Sequence, residues 1–104
     1  MAALAATIAF PPWLEGAAAS GQRITVEIQK FKFAPKMPVV KPGDVIVWIN
    51  KDIVAHTATA DDGSWDSDLI EPGGEWQMVV KADTSRSYFC QFHPSMKAKL
   101  EIGS

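Results

Sequence analysis

Cys90, His93 and Met96 stand at three-residue steps in the run Tyr88-Phe89-Cys90-Gln91-Phe92-His93-Pro94-Ser95-Met96, and Cys90 is the only cysteine of the chain. A thiolate, an imidazole and a thioether are soft donors. Together they suit a redox-active transition metal, above all copper cycling between its two oxidation states, whereas hard cations take oxygen ligands. The loop is one imidazole short. His56, the only other histidine, lies upstream beyond Trp48-Ile49-Asn50 and completes the set if the fold brings the two segments together. Zinc also accepts Cys and His, but its structural sites use no thioether and its catalytic sites keep a water position open. Taken singly, each residue has an ordinary explanation as inert thiol, core filler or backbone-satisfied imidazole. One pattern that uses the sole cysteine and both histidines points to copper.

The segments that must position these residues have the period of strands. Arg23-Ile24-Thr25-Val26-Glu27-Ile28-Gln29 alternates polar with apolar, Asp44-Val45-Ile46-Val47-Trp48-Ile49 does so more loosely, and Lys97-Ala98-Lys99-Leu100-Glu101-Ile102 alternates again. Lys41-Pro42-Gly43-Asp44 and Glu71-Pro72-Gly73-Gly74 supply turns. No long helical pattern competes. The expectation is all-β: a two-sheet antiparallel sandwich of Greek-key type, with the segment after Asn50 and the segment from Tyr88 to Met96 meeting at one end.

The run Val40-Lys41-Pro42-Gly43-Asp44-Val45, then Val47-Trp48-Ile49-Asn50, Ala55-His56-Thr57, and Cys90 with His93 and Met96 resembles the cupredoxins, the blue-copper electron carriers. Within them it is similar to the amicyanin, plastocyanin and pseudoazurin group, with the short ligand loop of the amicyanin-like branch. The resemblance covers roughly Gln22 to Ile102. It implies the same β-sandwich, one type 1 copper ion on His56, Cys90, His93 and Met96, and transient redox-protein partners. It also implies that electrons pass at the exposed edge of His93 through an apolar patch, for which Phe92, Pro94, Phe33, Pro35 and Met37 are the candidates. Thr57 stands where relatives often carry Asn, and its backbone N–H is a candidate donor to the Cys90 sulfur. Asn50, Thr57 and Pro94 are thus expected around the ligands, with Pro94 stiffening the loop beside His93.

Composition sets the outer limits. A chain of 104 residues, 47% of them hydrophobic, is one domain able to bury a core without disulfides. A net charge of −2 provides no basic stripe, so neither nucleic acid nor an anionic membrane surface is an expected partner. Asp61, Asp62, Asp66 and Asp68 cluster around Trp65 and read as a solvated loop, with steering of a basic partner as the functional alternative.

Residues 1–21 differ from the domain at 22–104. They are Ala-rich and lack Lys and Arg, and Ala17-Ala18-Ala19 precedes Ser20-Gly21. The segment fits the remnant of an export signal, hence a periplasmic or otherwise exported protein, or else an extension that packs Phe10, Trp13 and Leu14. Pro11 and Pro12 interrupt it, and its apolar run is too short to span a bilayer alone.

Two other function classes compete with electron transfer. Cys90 and His93 would serve an enzyme as a thiolate–imidazole pair, but their place on one loop followed by Met96 makes a non-enzymatic metal site the expectation. Copper delivery or storage favours exposed, flexible ligands, which strands and proline disfavour here.

Overall fold

The computed structural model describes residues 21–103, and the N-terminal segment with Phe10, Trp13 and Leu14 lies outside them. Among the described residues nine strands follow in chain order: β1 Arg23–Gln29, β2 Lys32–Ala34, β3 Val39–Val40, β4 Val45–Asn50, β5 Thr59–Ala60, β6 Glu75–Val79, β7 Ser87–Cys90, β8 His93–Lys99 and β9 Glu101–Ile102. They build one sheet in the order β2-β1-β4-β6, a second in the order β5-β7-β8, and a short β3-β9 pair. The result is the all-β sandwich that the alternation implies.

Two pairings depart from a purely antiparallel arrangement. β1 runs parallel to β4, Arg23 opposite Val45 through Ile28 opposite Asn50, and β3 runs parallel to β9. Parallel neighbours need a crossover. Here β2 and β3 lie between β1 and β4 in the chain, and β3 pairs with β9 rather than with either of them.

Both expected turns form. Gly43 (φ 98°) and Gly73 (φ 83°) take left-handed conformations that cost a glycine little. Asp44 and Gly74 donate their amides back to Lys41 and Glu71 at 3.0 and 2.8 Å. The β1–β2 turn has no such signal. Lys30 and Phe31 both have positive φ (55° and 61°), the backbone of a two-residue type I′ hairpin, although neither residue favours it.

The core lies between the sheets. Val26 and Ile28 face it from β1, Ile46 and Trp48 from β4, Tyr88 and Cys90 from β7, and Met96, Ala98 and Leu100 from the last strand region. Trp48 lies opposite Trp76 in register and packs against Trp65 and Tyr88, while its indole N–H donates to the Tyr88 hydroxyl at 3.2 Å. Burial holds the Tyr88 phenol well above its ordinary pKa, so the ring stays neutral. This aromatic plug ties the two sheets together behind Cys90.

Candidate metal centre

β7 and β8 form a hairpin whose tip is Gln91-Phe92, so Cys90 and His93 are facing partners, with a register shift at Phe89/Cys90. That explains the spacing. In a two-residue hairpin the residues flanking the turn are paired across it, and their side chains rise from the same face. Three residues past His93, Met96 is buried in the same core cluster as Cys90.

His56 comes from the other side of the sandwich end. Asn50, fully buried at the end of β4, donates from Nδ2 to the carbonyls of Val54 and Ile70, both at 2.9 Å, and its Oδ1 accepts the Asp52 amide at 2.9 Å. These bonds set the 51–56 loop. His56 then bridges Ile70 through two backbone hydrogen bonds and is wholly buried.

One nitrogen and one sulfur atom at a time, the loop and the hairpin converge. The Cys90 Sγ lies 3.6 Å from His56 Nδ1 and 3.7 Å from His93 Nδ1, and all three donor atoms fall within 4.8 Å of one another. A metal–sulfur bond of about 2.3 Å and metal–nitrogen bonds of about 2.0 Å, opened by about 110–120°, put sulfur and nitrogen about 3.5–3.8 Å apart. The spacing fits one ion held between the three.

Electrostatics prepares the ligands. His56 Nε2 stands 2.9 Å from Asp52 Oδ2, so the carboxylate accepts a hydrogen bond from a protonated Nε2 and the Nδ1 lone pair is left facing Cys90. The His56 imidazole, above all, holds the Asp52 carboxyl below its ordinary pKa. Partial desolvation opposes this, and the amides of Phe31 and Ile53 assist. The Thr57 backbone N–H donates to the Cys90 sulfur at 3.4 Å, the contact expected for it, which stabilises negative charge on the thiolate.

The remaining expected residues divide. Phe92 and Pro94 flank His93 and are exposed. Met37 is exposed as well, but it lines a groove with Tyr88, Ala98 and Lys99. At the rise of a strand, Ala98 and Lys99 lie about 16–20 Å along β8 from His93, so the groove that Met37 lines runs away from Phe92 and Pro94. Phe33, unlike Met37, is no surface residue, being buried with its ring edge-on to Tyr88.

Phe31 takes the place meant for them. Its ring meets His93 edge-on at 4.6 Å and His56 at 5.4 Å, with interplanar angles of 88° and 86°. Half exposed, it caps both imidazoles, and Ile53 beside Asp52 adds a second apolar side chain at 88% exposure. No turn motif announced Phe31. The one available signal was an odd hairpin, with two sheet-forming runs separated by residues that do not favour it.

No protein-family model matches the chain. Amicyanin from Paracoccus versutus is 22% identical over 84 residues, 76% of this chain and 64% of that protein, so the match spans less than two thirds of the curated relative. Among solved structures, an oxidised methionine-to-leucine variant of amicyanin superposes with a TM-score of 0.71 at 22% identity, covering 77% of this chain and 81% of that one. The purple cupredoxin of Nitrosopumilus maritimus superposes at 0.68 with 18% identity, covering 77% and 99%. The fold is that of the cupredoxins, and the donor set matches one type 1 copper ion.

Proposed function

We propose, from a cupredoxin fold whose thiolate and two imidazoles converge, that this chain is a type 1 copper electron carrier of the amicyanin kind. His56, Cys90, His93 and Met96 are the ligands in this reading. The observation that carries it is the single sulfur of Cys90 facing two Nδ1 atoms at 3.6 and 3.7 Å. Copper bound there supplies one-electron exchange between Cu(II) and Cu(I).

The chain's own residues do the rest. Asp52 keeps His56 in the tautomer that presents Nδ1, and the Thr57 amide steadies the thiolate charge. Phe31 and the hairpin turn limit how far the imidazoles move. Small movement favours fast electron transfer. His93 is the more exposed imidazole, rimmed by Phe31, Phe92 and Pro94, and that rim is where a transient redox partner would dock. Delivery or storage fits less well, because His56 and Cys90 are both fully buried. An exported, periplasmic setting is consistent with the Ala-rich N-terminal segment and with a lone thiol guarded by a metal.

Loading the protein with Cu(II) tests this directly. The expected result is an intense blue thiolate-to-copper band with reversible one-electron chemistry, both lost in Cys90→Ser while the sandwich stays folded. A colourless, easily stripped copper would favour delivery, and colour retained in Cys90→Ser would overturn the site.

A further inference from the structure

The acidic stretch reads from sequence as a solvated loop, yet one of its members reaches the ligand hairpin. Asp66 bridges Thr59 across a tight turn in which Gly63 donates to the Ala60 carbonyl and Ala60 to that of Trp65. The buried Thr59 hydroxyl donates to Asp66 Oδ1 at 2.9 Å. A hydroxyl has one proton, so the 2.9 Å contact between the hydroxyls of Thr57 and Thr59 must be a donation from Thr57. The Thr57 oxygen in turn accepts the backbone N–H of Gln91 at 2.9 Å. Every proton in this series points toward the carboxylate. On the other side, the Gln91 side-chain amide donates to Asp66 Oδ2 at 3.3 Å, and the Asp68 backbone N–H, the third donor to this carboxylate, reaches Oδ1 at 2.9 Å.

We propose that Asp66 is a positioning residue for the metal-binding hairpin, closing a hydrogen-bonded ring that runs Gln91 amide, Thr57, Thr59, Asp66 and Gln91 side chain. The ring holds the peptide that joins Cys90 to Gln91 at both its backbone and its side chain. Aligned donors that end on one acceptor polarise one another, so each bond is stronger than it would be alone. The consequence is a Cys90 sulfur whose direction is set from outside the ligand set, by a residue that touches no ligand. Thr57 serves twice, with its amide on the sulfur and its hydroxyl in the ring. The geometry of the ring stands without a metal, whereas its effect on electron transfer rests on the copper reading.

Three variants separate the possibilities. Asp66→Ala opens both arms on an exposed residue, and Thr59→Val removes only the middle hydroxyl. Asp66→Asn keeps an acceptor for Thr59 and, with the Gln91 amide turned over, a partner for Gln91. In the metal-free chain, hydrogen exchange of the Gln91 amide should speed up about five- to tenfold in Asp66→Ala and Thr59→Val, the size that one lost hydrogen bond implies, and stay near the parent rate in Asp66→Asn. In the copper-loaded chain, electron self-exchange should slow in the first two variants and recover in the third. An unchanged Gln91 amide in both opened variants would overturn the ring. Asp66→Asn behaving like Asp66→Ala would overturn it too, by showing that charge alone acts. A chain that follows the exchange pattern but never turns blue would keep the ring and sink the copper reading.

Discussion

The Oδ2 oxygen of Asp52 lies 2.9 Å from His56 Nε2, and the same oxygen accepts the backbone N–H of Phe31 at 3.0 Å. One carboxylate therefore orients a buried imidazole and also holds the hairpin turn that caps it. The turn is strained, because Phe31 sits in the left-handed region at a cost of about 1–2 kcal/mol. The hydrogen bond from its backbone N–H to Asp52 and the ring contacts with both histidines offset that cost. Such strain at the mouth of a site is where function and backbone conformation meet.

Removing the carboxylate should loosen the metal rather than the fold. For Asp52→Ala, copper affinity measured by chelator competition is expected to fall about 10–100-fold, the usual effect of losing a partner of a ligating histidine. Asp52→Asn retains an acceptor oxygen and should lose less. Equal affinity in all three proteins would show that Asp52 does not set the His56 tautomer.

Strain at Phe31 can be isolated from packing by comparing two small residues. Both Phe31→Gly and Phe31→Ala delete the ring, but only glycine takes positive φ freely, so denaturant unfolding should find the glycine variant more stable by about 1 kcal/mol. If alanine proves equal or better, the turn relaxes and holds no strain.

Met96, the thioether of the proposed ligand set, would be a weak donor to Cu(II). Met96→Leu conserves volume and should change stability by less than about 1.5 kcal/mol while raising the reduction potential, since the oxidised ion loses a donor. Voltammetry decides this. A potential unchanged or lowered would remove Met96 from the ligand set.

Acid sensitivity should show at Asp62. The Ser85 hydroxyl first, then the hydroxyl and amide of Ser64, hold its carboxyl at about 2, below the ordinary 3.8. A carboxyl lowered on folding adds stability that is complete above its unfolded pKa and is lost as pH falls through its folded pKa. Unfolding curves of the parent and Asp62→Asn should therefore differ most above about pH 4 and converge as pH falls toward 2. A difference independent of pH would mean that the hydroxyl bonds do not depend on the charge.

The pairing of Cys90 with His93 was legible in the sequence because their relationship is local. A two-residue turn makes Cys90 and His93 partners, and strand alternation and glycine turns mark the elements around them. His56 followed by elimination, as the only imidazole left, and the likeness to cupredoxins extended that reading to the Thr57 amide. What tertiary structure alone decided is what each distant side chain meets. Phe31 caps His93 because a strained hairpin turns it there, with no glycine to announce the turn. Phe33 and Met37, equally apolar in sequence, part company: β2 carries the Phe33 side chain into the core, whereas Met37, in the bend between β2 and β3, ends on the groove beside Ala98 and Lys99. Asp66 looked like any solvated acid. It gained a role because Thr59 and Thr57, alternate residues on the way out of the His56 loop, point their hydroxyls in series at a turn that folds back on them, and hydrogen bonds of that kind depend on three-dimensional placement rather than on spacing along the chain.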